Sequence, residues 1–395
     1  IPAGPAAPRR GPLLKHESHG HTAGAFGTAS MSFSRRAGVI AACCITMILT
    51  SCATFVRAGD PARGHELENC DAQAYLASDL CSGEKELLDW AAAYPRHRSL
   101  SDMTAENLRA IASATDSVDR AAAVFYHRVV SEPRNRRFIE QITSTERSLA
   151  ERTMGDLPDF SNGNVLFAFV PGMFYEDIDI RGLKGEPLIE AATDLGLPSV
   201  IIPVDQSGTV TENADLIASF LREHAAGYEE IIVATASKGA ADFAVMLDEY
   251  RDEPFVSRIR TWFNIGGILA PSRLVDTIES RPGLRLRAKL FFFVNGYDYR
   301  GFQSMGSTFE GRPGPLARRR DTPDHIEVVT IVGVPLGKHV TNTARPFYRV
   351  LSDAGPNDGF LLHAHSIRAD GPVYPAWRND HYFQWSLPPE RIRAF

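Results

Sequence analysis

Ser237 stands in the run Thr235-Ala236-Ser237-Lys238-Gly239, just after the apolar stretch Ile231 to Ala236 and just before a helical pattern that opens at Ala240. A serine on a sharp strand-to-helix turn has the setting of a nucleophile elbow, where strained backbone lifts the hydroxyl clear of a sheet and demands small neighbours two positions either side. Gly239 meets that demand. Thr235, being β-branched, meets it less well and is expected to crowd the incoming helix. The same serine also fits an ordinary helix N-cap, which performs no chemistry. A serine hydroxyl is a weak nucleophile at neutral pH and needs an adjacent base. Of the other reactive types, His363 and His365 are two apart and on a strand would face the same way, a minimal metal geometry. No third ligand stands at a matching spacing, so no metal is expected. His339, after Lys338, reads as capping or decorating a loop, and His16, His19 and His21 lack an acid or Cys to complete a site. Asn357-Asp358-Gly359 is an excellent turn sequence in its own right. Arg318, Arg319 and Arg320 read as a solvated basic face.

The elements that must position these residues follow from apolar periodicity. From about Asp71 to Met154 apolar residues recur at helical spacing, as in Leu108, Ile111, Ala112 and in Ala123, Val124, Phe125, Val129, Val130, with Pro133 as a break. From Val165 onward short continuous apolar runs alternate with amphipathic stretches. The runs are Val165 to Val170, Ser199 to Val204, Ile231 to Ala236, Thr261 to Ile265 and Glu327 to Val332; Leu188 to Leu195, Asn213 to His224 and Ala240 to Tyr250 have helical spacing. Buried parallel strands joined by helices read this way, so the fold class is α/β with a doubly wound sheet, preceded by a helical segment. Sites in such sheets lie outside the carboxyl ends of the strands, which is where Ser237 falls.

The front of the chain reads differently. With 395 residues, 44% hydrophobic and 23% charged, the composition is globular and excludes disordered and collagen-like classes. Met31 begins a stretch with Arg35 and Arg36, an apolar core from Ala37 to Leu49, then small residues, the layout of a secretory signal. Its end, Leu49-Thr50-Ser51-Cys52, resembles the lipobox of bacterial lipoproteins. That resemblance implies a signal peptide over 31–51, lipidation of Cys52, and a lipid anchor in the cell envelope, at the outer membrane where one exists because Ala53 rather than Asp follows. The rival is an uncleaved anchor helix from Gly38 to Val56. Residues 1–30 read as an upstream or disordered segment. Without residues 1–51, 37 basic and 47 acidic residues remain, so the net charge moves from −6 to −10. An acidic body does not favour nucleic acid. Cys43 and Cys44 lie in the apolar stretch, leaving Cys70 and Cys81 as a candidate disulfide in an oxidising compartment.

Roughly residues 160 to 385, within a domain of 159–395, resemble the α/β-hydrolase family, and within it the bacterial lipases and esterases. Besides the elbow, the resemblance rests on Val170-Pro171-Gly172-Met173 at the end of the first strand, on Phe263 to Pro271, and on Asn357-Asp358-Gly359 followed by Asp380-His381. It implies a triad in the chain order Ser237, Asp358, His381: His381 takes the serine proton and Asp358 fixes the imidazole tautomer. It also implies an oxyanion hole from the N–H groups of Met173 and Lys238. Asp298, which follows the apolar run Leu290 to Val294, is the alternative acid. Residues 272–324, between two strands, are where the family inserts a lid, so Phe291, Phe292 and Phe293 belong to lid core or to substrate contacts. Such an enzyme needs no cofactor and acts on an ester-containing small molecule or lipid. A thioesterase, an amidase, or a non-catalytic envelope lipoprotein using the fold as a scaffold are the alternatives. The helical region 52–158 carries no motif, and packing against the sheet accounts for it.

Overall fold

The apolar runs pair into a single six-stranded sheet in a computed structural model that describes residues 80–152, 156–177, 184–318, 321–367, 371–383 and 389–395. The expectations for the signal stretch, Cys52, Cys70, the histidine tail and Arg319–Arg320 lie outside the described residues. Cys81 is disulfide-bonded, and its partner also lies outside them.

Four helices come first: α1 (Ser82–Ala93), α2 (Ala105–Thr115), α3 (Val118–Ser131) and α4 (Pro133–Ala150). Local chemistry sets their starts. Thr104 and Ser117 cap α2 and α3 by accepting the N–H of Asn107 and Arg120. Pro133 is the first residue of α4 rather than only a break, since its missing N–H would have had no helical partner there. The apolar faces of α1, α2 and α3 bury Leu87, Ile111 and Phe125 against Val332, Val334 and Val373 of the sheet.

The sheet then alternates with helices: β1 (Val165–Val170), α5 (Glu186–Asp194), β2 (Ser199–Ile201), α6 (Val210–His224), β3 (Glu230–Ala236), α7 (Lys238–Glu249) and β4 (Ile259–Ile265). A cap follows, of α8 (Arg273–Ser280), α9 (Pro282–Asn295), α10 (Tyr299–Gln303), the hairpin β5 (Thr308–Phe309) and β6 (Arg312–Pro313), and α11 (Pro315–Arg318). The chain returns through β7 (Glu327–Val334), α12 (Arg345–Ser352), α13 (His363–Ser366), β8 (Val373–Trp377) and α14 (Pro389–Ala394). The strand order is β2-β1-β3-β4-β7-β8 and every pairing in it is parallel. This is the doubly wound parallel α/β sheet that the apolar runs predict. The order reverses at β1, so the carboxyl ends of β1 and β3 frame a crevice.

Three expectations are corrected. β2 ends at Ile201 instead of Val204 because Pro203 has no N–H for the ladder. The sheet gains β8, whose Pro375 is accommodated because β8 is an edge strand. His363 and His365 sit on the helical turn α13, not on a strand; the His363 ring is buried and stacked on Phe125 with centroids 4.9 Å apart. His339 caps the loop that carries it, as expected, and is also buried: its Nδ1 accepts the N–H of Leu336 and its Nε2 lies 3.6 Å from Glu84.

The run Leu290 to Val294 lies within α9, and its three phenylalanines divide. Phe292 is buried, Phe291 lines a cavity beneath the cap, and Phe293 is 82% exposed.

Candidate active site

Ser237 joins β3 to α7 at φ 51° and ψ −120°. Positive φ in a non-glycine residue is strained backbone, held here because Ser237 N–H donates to the Ile265 carbonyl (3.2 Å) and its own carbonyl accepts from Ala240 (3.2 Å) and Ile268 (3.0 Å). Gly239 is forced by close approach: a Cβ there would lie 2.4 Å from the Pro171 carbonyl oxygen and 2.6 Å from that of Val170. Both neighbours are backbone, so they have little freedom to yield. Gly239→Ala is therefore expected to lower stability by about 1–3 kcal/mol through overpacking, read as a lower urea midpoint at unchanged m-value; an unshifted midpoint would show that the elbow has room.

Thr235 does not crowd α7. Its hydroxyl is turned to the buried Trp262, whose Nε1–H donates to it at 2.9 Å, and Phe243 of α7 packs edge-on against that indole at 5.0 Å. The threonine thus fixes the platform under the elbow instead of wedging the helix away.

Two loops bring the other polar groups to Ser237. The loop after β8 carries His381, whose Nε2 lies 2.8 Å from Ser237 Oγ and whose Nδ1 lies 2.9 Å from Asp358 Oδ2. The turn after α12 carries Asp358, which is fully buried; its Oδ1 accepts the N–H groups of Phe360 (2.8 Å) and Leu361 (2.7 Å). The two loops are also tied through backbone, His381 N–H to the Asp358 carbonyl at 2.9 Å. The turn sequence itself does the positioning. Asn357 is buried, accepts the Gly359 N–H and donates to the carbonyls of Tyr348 and Gly355, while Gly359 takes φ 106°.

Electrostatics fit that geometry. Burial alone would raise the Asp358 pKa, but His381 and the two backbone donors outweigh it and hold the carboxyl below its ordinary value. The group is an anion well below neutral pH. Neighbouring Asp380 differs: burial raises its pKa, and its two oxygens accept the N–H groups of Thr341 and Tyr382, so it braces the loop.

The crevice edge is formed by the loop after β1. A Cβ on Gly172 would touch Ser237 Cβ at 3.0 Å, so Gly172 stands directly beside the hydroxyl, with Met173 next in the chain and lining the same cavity. Lys238 opens α7, where its N–H has no intrahelical acceptor and the helix dipole favours an anion. Its side chain, by contrast, is buried and turned away, paired with Asp242 Oδ1 at 2.7 Å and Oδ2 at 2.9 Å. Asn213 Nδ2–H donates to the same carboxylate, and burial, partly opposed by Lys238, pushes the Asp242 pKa up to about 6. Sequence reasoning singles out the Lys238 amide but misses this buried pair; the i, i+4 spacing of Lys238 and Asp242 was its only signal.

Asp298 is not brought to the site. It is an exposed N-cap of α10, its Oδ1 accepting the Arg300 N–H at 2.8 Å. The arrangement as a whole is a hydroxyl, an imidazole and a buried carboxylate in line, beside a helix N-terminus, which can activate an oxygen nucleophile and stabilise a developing oxyanion.

No family model and no curated protein matches the chain. Solved structures do. A metagenomic carboxyl esterase is similar at 19% identity and a TM-score of 0.41, over 55% of this chain and 64% of its own, so the match spans under two thirds of that esterase's length. A mature Bacillus licheniformis lipase is similar at 16% identity and 0.42, over 60% and 89%. A thermophilic esterase from Thermogutta terrifontis is similar at 13% identity and 0.30, over 58% and 86%.

Proposed function

We propose that the protein is a serine hydrolase that cleaves a carboxylic ester through an acyl-enzyme. The observation that carries this reading is His381 bonded on one nitrogen to Ser237 and on the other to Asp358. Ser237 Oγ attacks the carbonyl carbon as its proton passes to His381 Nε2, and the carbonyl oxygen becomes an oxyanion beside the N–H groups of Met173 and Lys238. The tetrahedral centre collapses, the C–O bond to the alcohol breaks, and His381 returns the proton to that alcohol. Water, deprotonated by the same imidazole, then releases the acid and restores Ser237. Asp358 stays ionised throughout, holding Nδ1–H in place and stabilising the imidazolium.

A fluorophosphonate probe tests the reading directly. Covalent label is expected on Ser237 and absent from Ser237→Ala. A folded native sample that takes no label would return the fold to the scaffold reading, since a fold alone does not guarantee chemistry.

A further inference from the structure

The two faces of the sheet are covered unequally. On the side of α6 and α7, Ile231 and Val233 of β3 and Trp262 of β4 are wholly buried. Their alternating neighbours Ile232, Phe263 and Ile265 point the other way and are only half-buried, although β3 and β4 are central strands. A parallel sheet normally has both faces packed. Among the described residues, α4, α5 and α14 stand around this second face, and a cavity of about 1410 Å³ lies along it. Ordinary ligand clefts hold about 300–1,000 Å³.

That cavity is continuous with the active site. It runs from Phe291 and Phe292 under the cap, past Ser237 and His381, and along the sheet to Glu230 and Thr261 near the amino ends of β3 and β4. The distance from Ala236 to Glu230 along β3 is about 20 Å at the rise of an extended strand. Over that length β3 and β4 turn Ala236, Ile232, Ile265 and Phe263 toward it, with Ala234 wholly buried between them and no polar side chain until Thr261. On the helix side the exposed Gln141 and Glu190 and the half-buried Thr145 also line it, and Asp194 and Arg393 are paired with each other at 2.7 Å, while the strand side is apolar. A wall of this kind suits a flexible apolar chain and penalises a polar or charged one.

We propose that this channel holds the acyl chain of the substrate, with the ester carbonyl at Ser237 and the tail running along Ile232 and Phe263 toward the amino ends of the strands. The proposal rests on the acyl-enzyme reading above and adds to it the substrate class, esters of long unbranched acids. It also places the acyl site along a sheet face, whereas ligands of open α/β sheets ordinarily sit outside the strand ends.

The test is a series of p-nitrophenyl esters from acetyl to decanoyl, with a binding arm on Ser237→Ala protein, which keeps the channel without turnover. In the native protein kcat/KM is expected to rise along the series by up to about fourfold per added methylene. Ile232→Trp, which narrows the channel, is expected to lower the decanoyl-to-acetyl ratio of kcat/KM at least about tenfold. Ser237→Ala is expected to bind cis-parinaric acid, read by its fluorescence, and to release it to decanoate but not to acetate; this arm stands should Ile232→Trp fail to fold. Acetyl ester turned over with a flat chain-length profile and no fatty-acid binding overturns the channel and leaves the hydrolase reading intact. Fatty-acid binding without label or turnover supports the channel and overturns the hydrolase reading.

Discussion

Asp358→Asn is expected to lower kcat for an activated ester by about 10⁴-fold, while Asp298→Asn leaves it near the native value. Asp358 is buried against His381 Nδ1, and its other oxygen is fixed by the N–H groups of Phe360 and Leu361. An asparagine in that cradle keeps its carbonyl on the two backbone donors, which turns its NH₂ toward Nδ1. The imidazole is then held with its proton on Nε2, facing Ser237 as a donor instead of as an acceptor, and the imidazolium loses its counter-ion. Both losses fall on the chemical step, so kcat is expected to fall far more than KM changes. Asp298 offers a contrast of equal chemistry: it caps α10 from an exposed position, and losing a cap costs about 1 kcal/mol at most sites. The measurement is steady-state turnover of both variants beside urea denaturation. A larger loss in Asp298→Asn, or a loss below tenfold in folded Asp358→Asn, would remove Asp358 from the role.

The parts legible in the sequence are those whose physics is local. β1, β3 and β7 read as strands because a strand buried on both faces is a continuous apolar run, and the elbow reads because a close backbone approach needs glycine at position 239. Leu290 to Val294 shows the limit of that signal. A five-residue apolar run has no period of its own, and only Pro282 before it and Gly296 after it mark a helix. β8 is hidden by Pro375, which argues against a strand unless the strand is known to be at an edge. The joining of Ser237 to residues 358 and 381 rests on resemblance and chain order, since no local pattern encodes a contact across 144 positions. The direction of the Lys238 side chain and the Thr235–Trp262 bond are tertiary outcomes of the same kind.

The longest-range of these contacts explains what the helical segment does for the site. Glu84, in the first turn of α1, is wholly buried; it accepts from Cys81 N–H (3.1 Å), Trp377 Nε1–H (3.1 Å) and Arg378 Nε–H (2.7 Å), with a second bond to Arg378 through Nη2. Arg378 takes φ 69° at the end of β8, three residues before His381, and its backbone N–H donates to Val334. A strained residue persists where its surroundings over-determine it, and Glu84 is the carboxylate that does so here. Burial raises the Glu84 pKa, but the Arg378 and Cys81 bonds outweigh it and leave it below the ordinary value. Glu84 therefore contributes stability above its unfolded pKa and loses it as pH falls through the lowered folded value. His339, 3.6 Å away, is held down to about 4, chiefly by burial. Its folded form resists protonation, so stability also declines as pH falls from about 6.5 toward 4, the same direction. Removing one partner of a buried pair costs about 3–5 kcal/mol, because the remaining charge stays out of water without its counter-ion. Glu84→Ala is thus expected to lose most of that amount in urea denaturation at pH 7, and its turnover is expected to fall as well, since the backbone leading to His381 is released. A loss below about 1 kcal/mol, the range of an exposed pair, would mean that α1 only rests on the sheet and does not hold the loop that carries the histidine.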